Sequence, residues 1–154
     1  MSSRLQTEIK QNKPFPKLGH EALLGLLRTA AVVGHANEEE LRRFGITTTQ
    51  YNVLRILRGA GEDGLCGREV GERMITKVPD VPRLLDRLEK AGLIGRVRDA
   101  ADRRHVTATI TQRGLDLLQV IADAGDSPLE RRFSAIPEDQ LRVFIDVLDA
   151  IRSG

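Results

Sequence analysis

Apolar residues recur at helical spacing through most of the chain. From Leu18 they repeat every three or four positions towards Leu41, and this pattern predicts a long first helix that ends at Gly45. Thr47 and Gln50 then have the spacing of a capping box, so a second helix is expected to begin there. Its inward-facing side chains are predicted to be Tyr51, Leu54 and Leu57.

A shorter helix is predicted after a turn. The stretch 59–64 is rich in glycine and is typical of a turn. Cys66 and Glu69 follow at capping-box spacing, with a thiol where Ser or Thr is usual. A third helix is therefore expected to begin there and to end near Ile75.

The fourth predicted helix, over 77–93, is amphipathic. Pro79 and Pro82 both fall in its opening turn, where a missing backbone N–H costs little. Asp80 would cap the helix if the helix began after that residue. The apolar positions are Val81, Leu84, Leu85, Leu88 and Ala91, whereas Arg83, Asp86, Arg87 and Lys90 lie largely on another face.

Beyond Gly92 the period of the pattern changes from that of a helix to two, which predicts two short strands. The residues between them, 99–104, are too charged to be buried, so the strands are expected to form a hairpin. In the first strand the apolar Val97 alternates with Arg96 and Arg98. In the second, the apolar positions alternate with polar ones, Val106, Ala108 and Ile110 with His105, Thr107 and Thr109.

The rest of the chain is predicted to be helical. Thr111 is expected to cap a helix that Gly125 and Pro128 interrupt, and a last helix opens at Pro137. These helices, with the first one, have more apolar face than one small domain needs. The last helix carries Leu141, Phe144, Ile145, Leu148 and Ile151 at three-and-four spacing.

The composition narrows the fold class and the setting. Aromatic residues make up 3% of the 154 residues, which is low for a β-sandwich, so a mainly α fold with a small β-hairpin is expected. Cys66, as the single cysteine, cannot form an internal disulfide. No apolar stretch is typical of a signal sequence or a membrane span, so a cytoplasmic protein without a membrane partner is expected.

Charge is distributed unevenly along the chain, although the net charge is only +2. Residues 76–113 carry nine Lys/Arg against five Asp/Glu, whereas 115–154 carry four Arg against eight acids. A basic middle with an acidic end is typical of a module that meets phosphates with its middle third. Two short helices, the second one basic and followed by a basic hairpin, form the winged helix-turn-helix arrangement. In this arrangement the helix enters the major groove, and arginines at the hairpin tip reach the adjacent minor groove.

Four short motifs follow one another at 46–54 (ITTTQYNVL), 83–94 (RLLDRLEKAGLI), 99–104 (DAADRR) and 110–114 (ITQRG). In turn, they resemble the second-helix opening, the recognition-helix signature, the wing tip and the next helix start of the MarR family of transcription regulators. The resemblance covers 18–151 in the same order of elements. Each motif alone is a weak indication, but all four in register are specific.

The resemblance implies a homodimer in which the first helix and the last two interlock between copies. The chain is accordingly divided into a flexible arm (1–17), a helical dimerisation region (18–44 and 112–154) and a DNA-binding lobe (45–111). A dimer implies a pseudo-palindromic double-stranded DNA operator. Family members commonly repress transcription and release DNA when a small aromatic or phenolic ligand binds, so a repressor of this kind is expected.

The resemblance also indicates DNA-binding residues. Arg103 and Arg104 match the wing position that enters the minor groove, with Asp99 and Asp102 as partners that hold the hairpin. Pro82 departs from the family pattern, in which Thr is frequent, and a proline there donates no hydrogen bond. Base-edge contacts are predicted for Lys77, Asp80 and Arg83, and phosphate contacts for Arg68, Thr76, Arg96 and Arg98.

Three further side chains leave alternatives open. Arg87 is equally suited to pairing with a nearby acid and to contacting DNA, whereas Asp86 is expected to be structural. Cys66 would serve as a plain helix cap or as a redox-sensitive thiol.

The sequence lacks the motifs of common enzyme classes, including G-x-S-x-G, the P-loop, the Rossmann fingerprint and H-E-x-x-H. His20, His35 and His105 are scattered without a second ligand at metal spacing, so no metal and no cofactor are expected. The leading hypothesis is a ligand-responsive DNA-binding repressor. The alternatives are a constitutive regulator without an effector and a winged helix that docks another protein.

Overall fold

The computed structural model describes residues 3–154, apart from the side chain of Pro128. Met1 and Ser2, which belong to the predicted arm, therefore lie outside the described residues. The helices are α1 (Arg4–Glu8), α2 (Leu18–Arg42), α3 (Thr48–Ala60), α4 (Gly67–Arg73), α5 (Val81–Lys90), α6 (Gln112–Asp123), α7 (Pro128–Ser134) and α8 (Glu138–Ser153). The strands are β1 (Leu65–Cys66), β2 (Ile94–Arg98) and β3 (Val106–Ile110). The expected fold class, mainly helical with a small antiparallel sheet, is confirmed.

The chain divides into two compact units, Met1–Glu39 and Glu40–Gly154. In the first unit the Ser3 hydroxyl caps α1 by accepting a hydrogen bond from the backbone N–H of Gln6 at 3.2 Å. The side chain of Leu5 lies beside Gly25 of α2. The pattern at 1–17 missed this helix because five residues are too few to show a helical period. The flexibility of the arm stays a prediction.

The second unit opens with the predicted stop and start signals. Gly45 has a φ of 72°, the left-handed conformation that favours glycine after a helix. Thr47 and Gln50 form the predicted capping box, in which each side chain bonds the backbone N–H of the other residue, at 3.2 and 3.0 Å. The capping box thereby satisfies two backbone donors that a helix start would otherwise leave free.

One apolar core holds the second unit together. Leu54, Leu57 and Leu88 are fully buried, and the core joins α3, α4, α5 and α6 to the sheet. Burying one such side chain contributes roughly 1.5–3 kcal/mol to folding, so this cluster is the main source of its stability. The buried residues are Leu41, Ile46, Val53, Leu54, Leu57, Leu65, Val70, Met74, Leu85, Leu88, Ile94, Ala108 and Leu118.

The sheet is antiparallel with the order β1-β3-β2, and β2 is an edge strand. The predicted hairpin of β2 and β3 is confirmed, but β1 was missed because two residues cannot display an alternating pattern. Arg96 lies opposite the buried Ala108, so Arg96 and not Val97 is on the inner face of β2. Val97 is 67% exposed. Alternation alone predicts two faces of a strand but not which face is covered.

The start of α5 differs from the predicted one. The side chain of Asp80 accepts a hydrogen bond from the backbone N–H of Arg83 at 2.9 Å, so Asp80 is the cap and Val81 the first helical residue. Pro82 falls in the first turn as expected, whereas Pro79 lies before the helix. The helix begins late because Pro79 disfavours the helical conformation of Val78, whereas Pro82 is tolerated in the first turn, where no backbone N–H is needed.

The C-terminal helices follow the predicted boundaries. Thr111 caps α6 by accepting from the N–H of Gly114 at 3.2 Å, and its hydroxyl donates to the carbonyl of Gly92 at 2.7 Å. Gly125, with a φ of 82°, separates α6 from α7, and Pro137 precedes α8. None of the residues of α8, all of which are described, is buried.

Candidate nucleic-acid interface

The surface of α5 carries two kinds of charged stripe. Because an α-helix repeats every 3.6 residues, Arg83, Arg87 and Lys90 share one stripe, and Asp86 and Glu89 share another. All five residues are exposed to solvent. The basic stripe is called the basic face of α5 below. It can present donors to an anionic partner, and the described residues show no ion pair of Arg87.

The segment between α4 and α5 is fixed by the hydrogen bonds of two side chains. The side-chain oxygen of Asn52 on α3 accepts a hydrogen bond from the backbone N–H of Ile75 at 2.9 Å. The Lys77 ammonium donates to the carbonyls of Gly71 and Glu72 at 2.9 and 2.8 Å, at the end of α4. A cation at this position also interacts favourably with the negative end of the helix dipole of α4.

Lys77 is therefore not in the opening turn of α5, where the sequence pattern placed it. The prolines that follow Lys77 delay the helix, and its charge serves the preceding one. Asn52 was not singled out from the sequence. Asn52 is one of several uncharged polar residues in the first half of α3, so nothing in the sequence distinguished it from its neighbours.

The hairpin tip is shaped by its acidic residues. The carboxylate of Asp99 accepts from the N–H of Ala101 at 2.8 Å, and that of Asp102 accepts from the N–H of Arg104 at 3.0 Å. The N–H of Asp99 donates to the carbonyl of His105 at 2.9 Å and closes the loop. Asp99 and Asp102 thus bond the loop backbone, as Asx turns do, rather than the guanidinium groups. Arg103 and Arg104 are exposed at the tip.

Arg96 is engaged within the protein. Its guanidinium donates two hydrogen bonds to the carboxylate of Glu89, from Nε at 3.2 Å and from Nη2 at 3.1 Å, and Nη2 also bonds Asp86. The Arg96 side chain is 24% exposed. This hydrogen bonding lowers the pKa of Glu89 and raises that of Arg96, against the opposing effect of burial. The expected structural role of Asp86 fits this contact. Arg96 was predicted to contact phosphate, and the pairing leaves it few free donors.

The remaining predicted contacts lie around the same surface. Arg68 on α4 pairs with Glu72 at 2.9 Å, and this hydrogen bond raises the pKa of the Arg68 guanidinium. Thr76 is exposed in the segment before α5, and Arg98 is exposed at the end of β2. The DNA contacts of these residues stay predictions.

A cleft of about 470 Å³ opens between α5 and the sheet. It is lined by Leu85 and Ala108 at its base and by both acids of α5 and both arginines of β2 at its mouth. Gly67 at the start of α4 also lines it, beside Leu85. The floor is thus apolar, whereas the rim carries charges of both signs.

Cys66 lies at the start of α4, where the Glu69 carboxylate accepts a hydrogen bond from its backbone N–H at 2.9 Å. This bond is the first cause of the lowered pKa of Glu69. In the described part of the chain no three His, Cys, Asp or Glu side chains are grouped so as to hold a metal ion. Across the same residues, no helix has both the length and the apolar character needed to span a bilayer.

The lobe that carries these features resembles known proteins. A sequence model of the MarR family matches residues 44–105, from just before α3 to the hairpin tip. The structure of a MarR transcription factor from Planctomyces limnophilus is 32% identical, with 89% of this chain and 99% of that one covered and a TM-score of 0.68. The chain belongs to the MarR family. It is accordingly a winged-helix transcription regulator, as the motifs indicated.

Two further MarR-family structures are similar over most of their length. The S. aureus MepR–DNA complex is 26% identical over 83% of this chain and 94% of that one, with a TM-score of 0.73. CouR from Rhodococcus jostii RHA1, bound to p-coumaroyl-CoA, is 27% identical over 89% and 95%, with a TM-score of 0.72. Both are similar over the winged helix and the flanking helices. The relatives are transcription regulators and not enzymes.

Proposed function

We propose that this protein binds a pseudo-palindromic DNA operator as a homodimer, represses transcription, and leaves the operator when a small aromatic ligand binds. The observation that carries the proposal is the basic face of α5 beside an arginine-tipped hairpin in one lobe. The MepR–DNA complex supports it, because a similar chain binds DNA.

The charges of the lobe suit the two grooves of a duplex. A single α-helix fits the major groove, and arginines inserted into the minor groove meet its enhanced negative potential. Arg83 is the side chain best placed to contact a base edge, because Asp80 is engaged as the cap and Lys77 bonds α4. Thr76, Arg68 and Arg98 are proposed to contact phosphates, and Arg103 and Arg104 to enter the minor groove.

A homodimer is proposed because the flanking helices expose apolar side chains. On α8, Val143, Ile145 and Ile151 are 63%, 55% and 57% exposed, and on α2 Leu23 and Leu27 are 55% and 57% exposed. Repeated exposure along one helix is unusual for a monomer and indicates an interface. A second copy offers the same apolar faces and, by its two-fold symmetry, a second recognition helix for the other half-site.

The effector is proposed to be a small molecule with an aromatic or phenolic group. CouR supports this choice, because a chain of similar length and fold is bound to p-coumaroyl-CoA, a thioester of a phenolic acid. A ligand releases DNA only by binding the free form more tightly than the DNA-bound form. The proposal therefore requires that ligand and DNA weaken each other's binding by the same factor.

The decisive experiment measures binding to a fluorescent duplex from the region upstream of its own gene, at several salt concentrations. Wild type is expected to bind with an affinity that falls steeply with salt. In a plot of the logarithm of the association constant against that of the salt concentration, each phosphate contact should contribute roughly −0.9 to the slope. Arg104→Ala should bind about tenfold more weakly, since a minor-groove arginine is lost. The matched control is Arg58→Ala, which also removes one exposed arginine, in the last turn of α3.

The outcomes separate the hypotheses. No salt-dependent binding by wild type would overturn DNA binding and favour a winged helix that docks a protein. Equal binding by Arg104→Ala and wild type would overturn the role of the wing tip. A panel of phenolic acids that neither raises the melting temperature nor weakens DNA binding would favour a constitutive regulator.

A further inference from the structure

The ion pairs between α5 and β2 form one connected cluster. Arg96 of β2 bonds Glu89 through two nitrogens at 3.2 and 3.1 Å, and it also bonds Asp86. Asp86 and Glu89 are three residues apart, so they share one side of α5. The cluster thus spans two elements that are joined in sequence only through the turn at 91–93.

The position of this cluster matters because β2 is an edge strand. On one side β2 is bonded to β3, and its other edge has no strand partner in the described chain. The buried Ile94 anchors the root of the strand, and Arg96 is the next residue on the same face. Beyond Arg98 the hairpin extends as an exposed tip. In the part of the chain that the structure describes, Arg96 is the residue of β2 nearest the tip with a hydrogen bond to α5.

The arrangement of charge on α5 also indicates that Arg96 serves a contact within the protein. Acidic side chains near a DNA surface repel phosphates, so two acids on a recognition helix oppose DNA binding unless a cation compensates them. Here Arg96 pairs with both acids, which are 52% and 42% exposed, and the basic face of α5 is exposed beside them. A bidentate guanidinium–carboxylate contact also restricts orientation more than a lysine contact would.

We propose that Arg96, held by Asp86 and Glu89, is a positioning residue that fixes the angle between the wing and the recognition helix, rather than a phosphate contact. This inference rests on the proposed DNA binding, since its purpose is to let helix and wing meet adjacent grooves together. The hydrogen bond from Arg96 lowers the pKa of Glu89, as expected for a carboxylate paired with a cation. The contact of Arg96 with Asp86 and Glu89 is called the brace below.

The sign of one mutational effect distinguishes the two roles. Asp86→Ala/Glu89→Ala removes two negative charges from the lobe, and this alone would strengthen DNA binding. It would also release Arg96 to contact phosphate. If Arg96 is a brace, the same variant must instead weaken binding, because the wing loses its fixed orientation. Alanine is the best helix former, so α5 itself is not weakened.

The experiment measures affinity for two fluorescent duplexes, the upstream region of its own gene and a mixed sequence of equal length. The proteins are wild type, Asp86→Ala/Glu89→Ala, Arg96→Met and the three changes combined. Glu62→Ala/Asp63→Ala is the control, because it removes the same charge from the lobe at exposed residues outside α5 and β2. Amide hydrogen exchange of β2 and β3, compared with that of α3, reports the wing without DNA.

The brace predicts that the acid-removing variant binds the upstream duplex about tenfold more weakly than wild type. The combined variant should bind no more weakly than the weaker of its two parents, since all remove one interaction. Exchange at the hairpin should be about fivefold faster, with α3 unchanged. The control should bind as well as wild type or better.

Binding by the acid-removing variant that equals or exceeds that of the control would overturn the proposal and restore Arg96 as a phosphate contact. Unchanged exchange in the hairpin would overturn it as well. A wild type that binds neither duplex overturns the proposed function, and with it any role of the brace in DNA binding. Exchange data would then still show whether Arg96 holds the hairpin.

Discussion

The DNA-binding lobe and the last helix show equally clear apolar periodicity, yet they bury it very differently. In the lobe, Leu54, Leu57 and Leu88 are inaccessible to solvent, whereas no residue of α8 is buried and Val143 and Ile151 are more than half exposed. Periodicity predicts that a helix has an apolar face, but not which molecule covers it. The apolar face of the lobe is covered within this chain, whereas that of α8 is exposed in a single chain.

Truncation inside the core should have the largest effect, because most of the buried apolar side chains belong to the lobe. Leu88→Ala removes a fully buried side chain and should lower the free energy of unfolding by about 2–5 kcal/mol. Urea unfolding followed by circular dichroism measures the loss. Val97→Ala, at an exposed position of the wing, should change it by less than about 0.5 kcal/mol. A loss for Leu88→Ala as small as that of the control would show that the lobe does not depend on this core.

Truncating an exposed apolar side chain of α8 should weaken the association of two copies, with much less effect on the stability of the lobe. Phe144→Ala removes a side chain that is 42% exposed in one chain, and burying that exposed part in both copies of a dimer is worth roughly 1–3 kcal/mol in total. Sedimentation equilibrium should therefore show a dimer dissociation constant raised about tenfold. Val97→Ala serves again as the control and should leave the dimer intact. If Phe144→Ala associates like wild type, this face of α8 is not the dimer interface.

Most of the fold could be predicted from local chemistry. The caps at Thr47 and Thr111 and the breaks at Gly45 and Gly125 are where short-range rules place them, because a helix end needs partners within a few residues. Short elements escaped prediction. The five residues of α1 and the two of β1 are shorter than the period that would reveal them.

The candidate site was harder to predict, since its geometry depends on residues far apart in sequence. Lys77 and Arg96 looked like free cations, but their charges meet the end of α4 and the acids of α5. Asn52 bonds a backbone group 23 residues away, and no spacing rule relates the two. A sequence shows which residues are charged, whereas only the fold shows which charges are already used.

The smallest predicted effect is a loss of stability at low pH. It also distinguishes the lobe, which contains Glu69, from the C-terminal helices. Glu69 has a lowered pKa, first because its carboxylate accepts the N–H of Cys66 at 2.9 Å. A carboxyl group whose folded pKa is depressed stabilises the protein fully above its unfolded pKa, about 4.3, and loses that contribution as the pH falls through the folded value. Glu69→Gln keeps an acceptor but not the charge.

Wild type should therefore be more stable than Glu69→Gln by a constant amount above about pH 5, and this difference should shrink below about pH 4. Urea midpoints measured from pH 7 downwards test this, with Glu62→Gln as an exposed control in the same lobe. Because α4 packs in the core of the lobe through Val70 and is not part of α8, the difference should not depend on protein concentration. A stability difference that grew in acid would contradict the sign of the pKa shift. A difference that appeared only at dimer-forming concentrations would contradict the independence of the lobe from association.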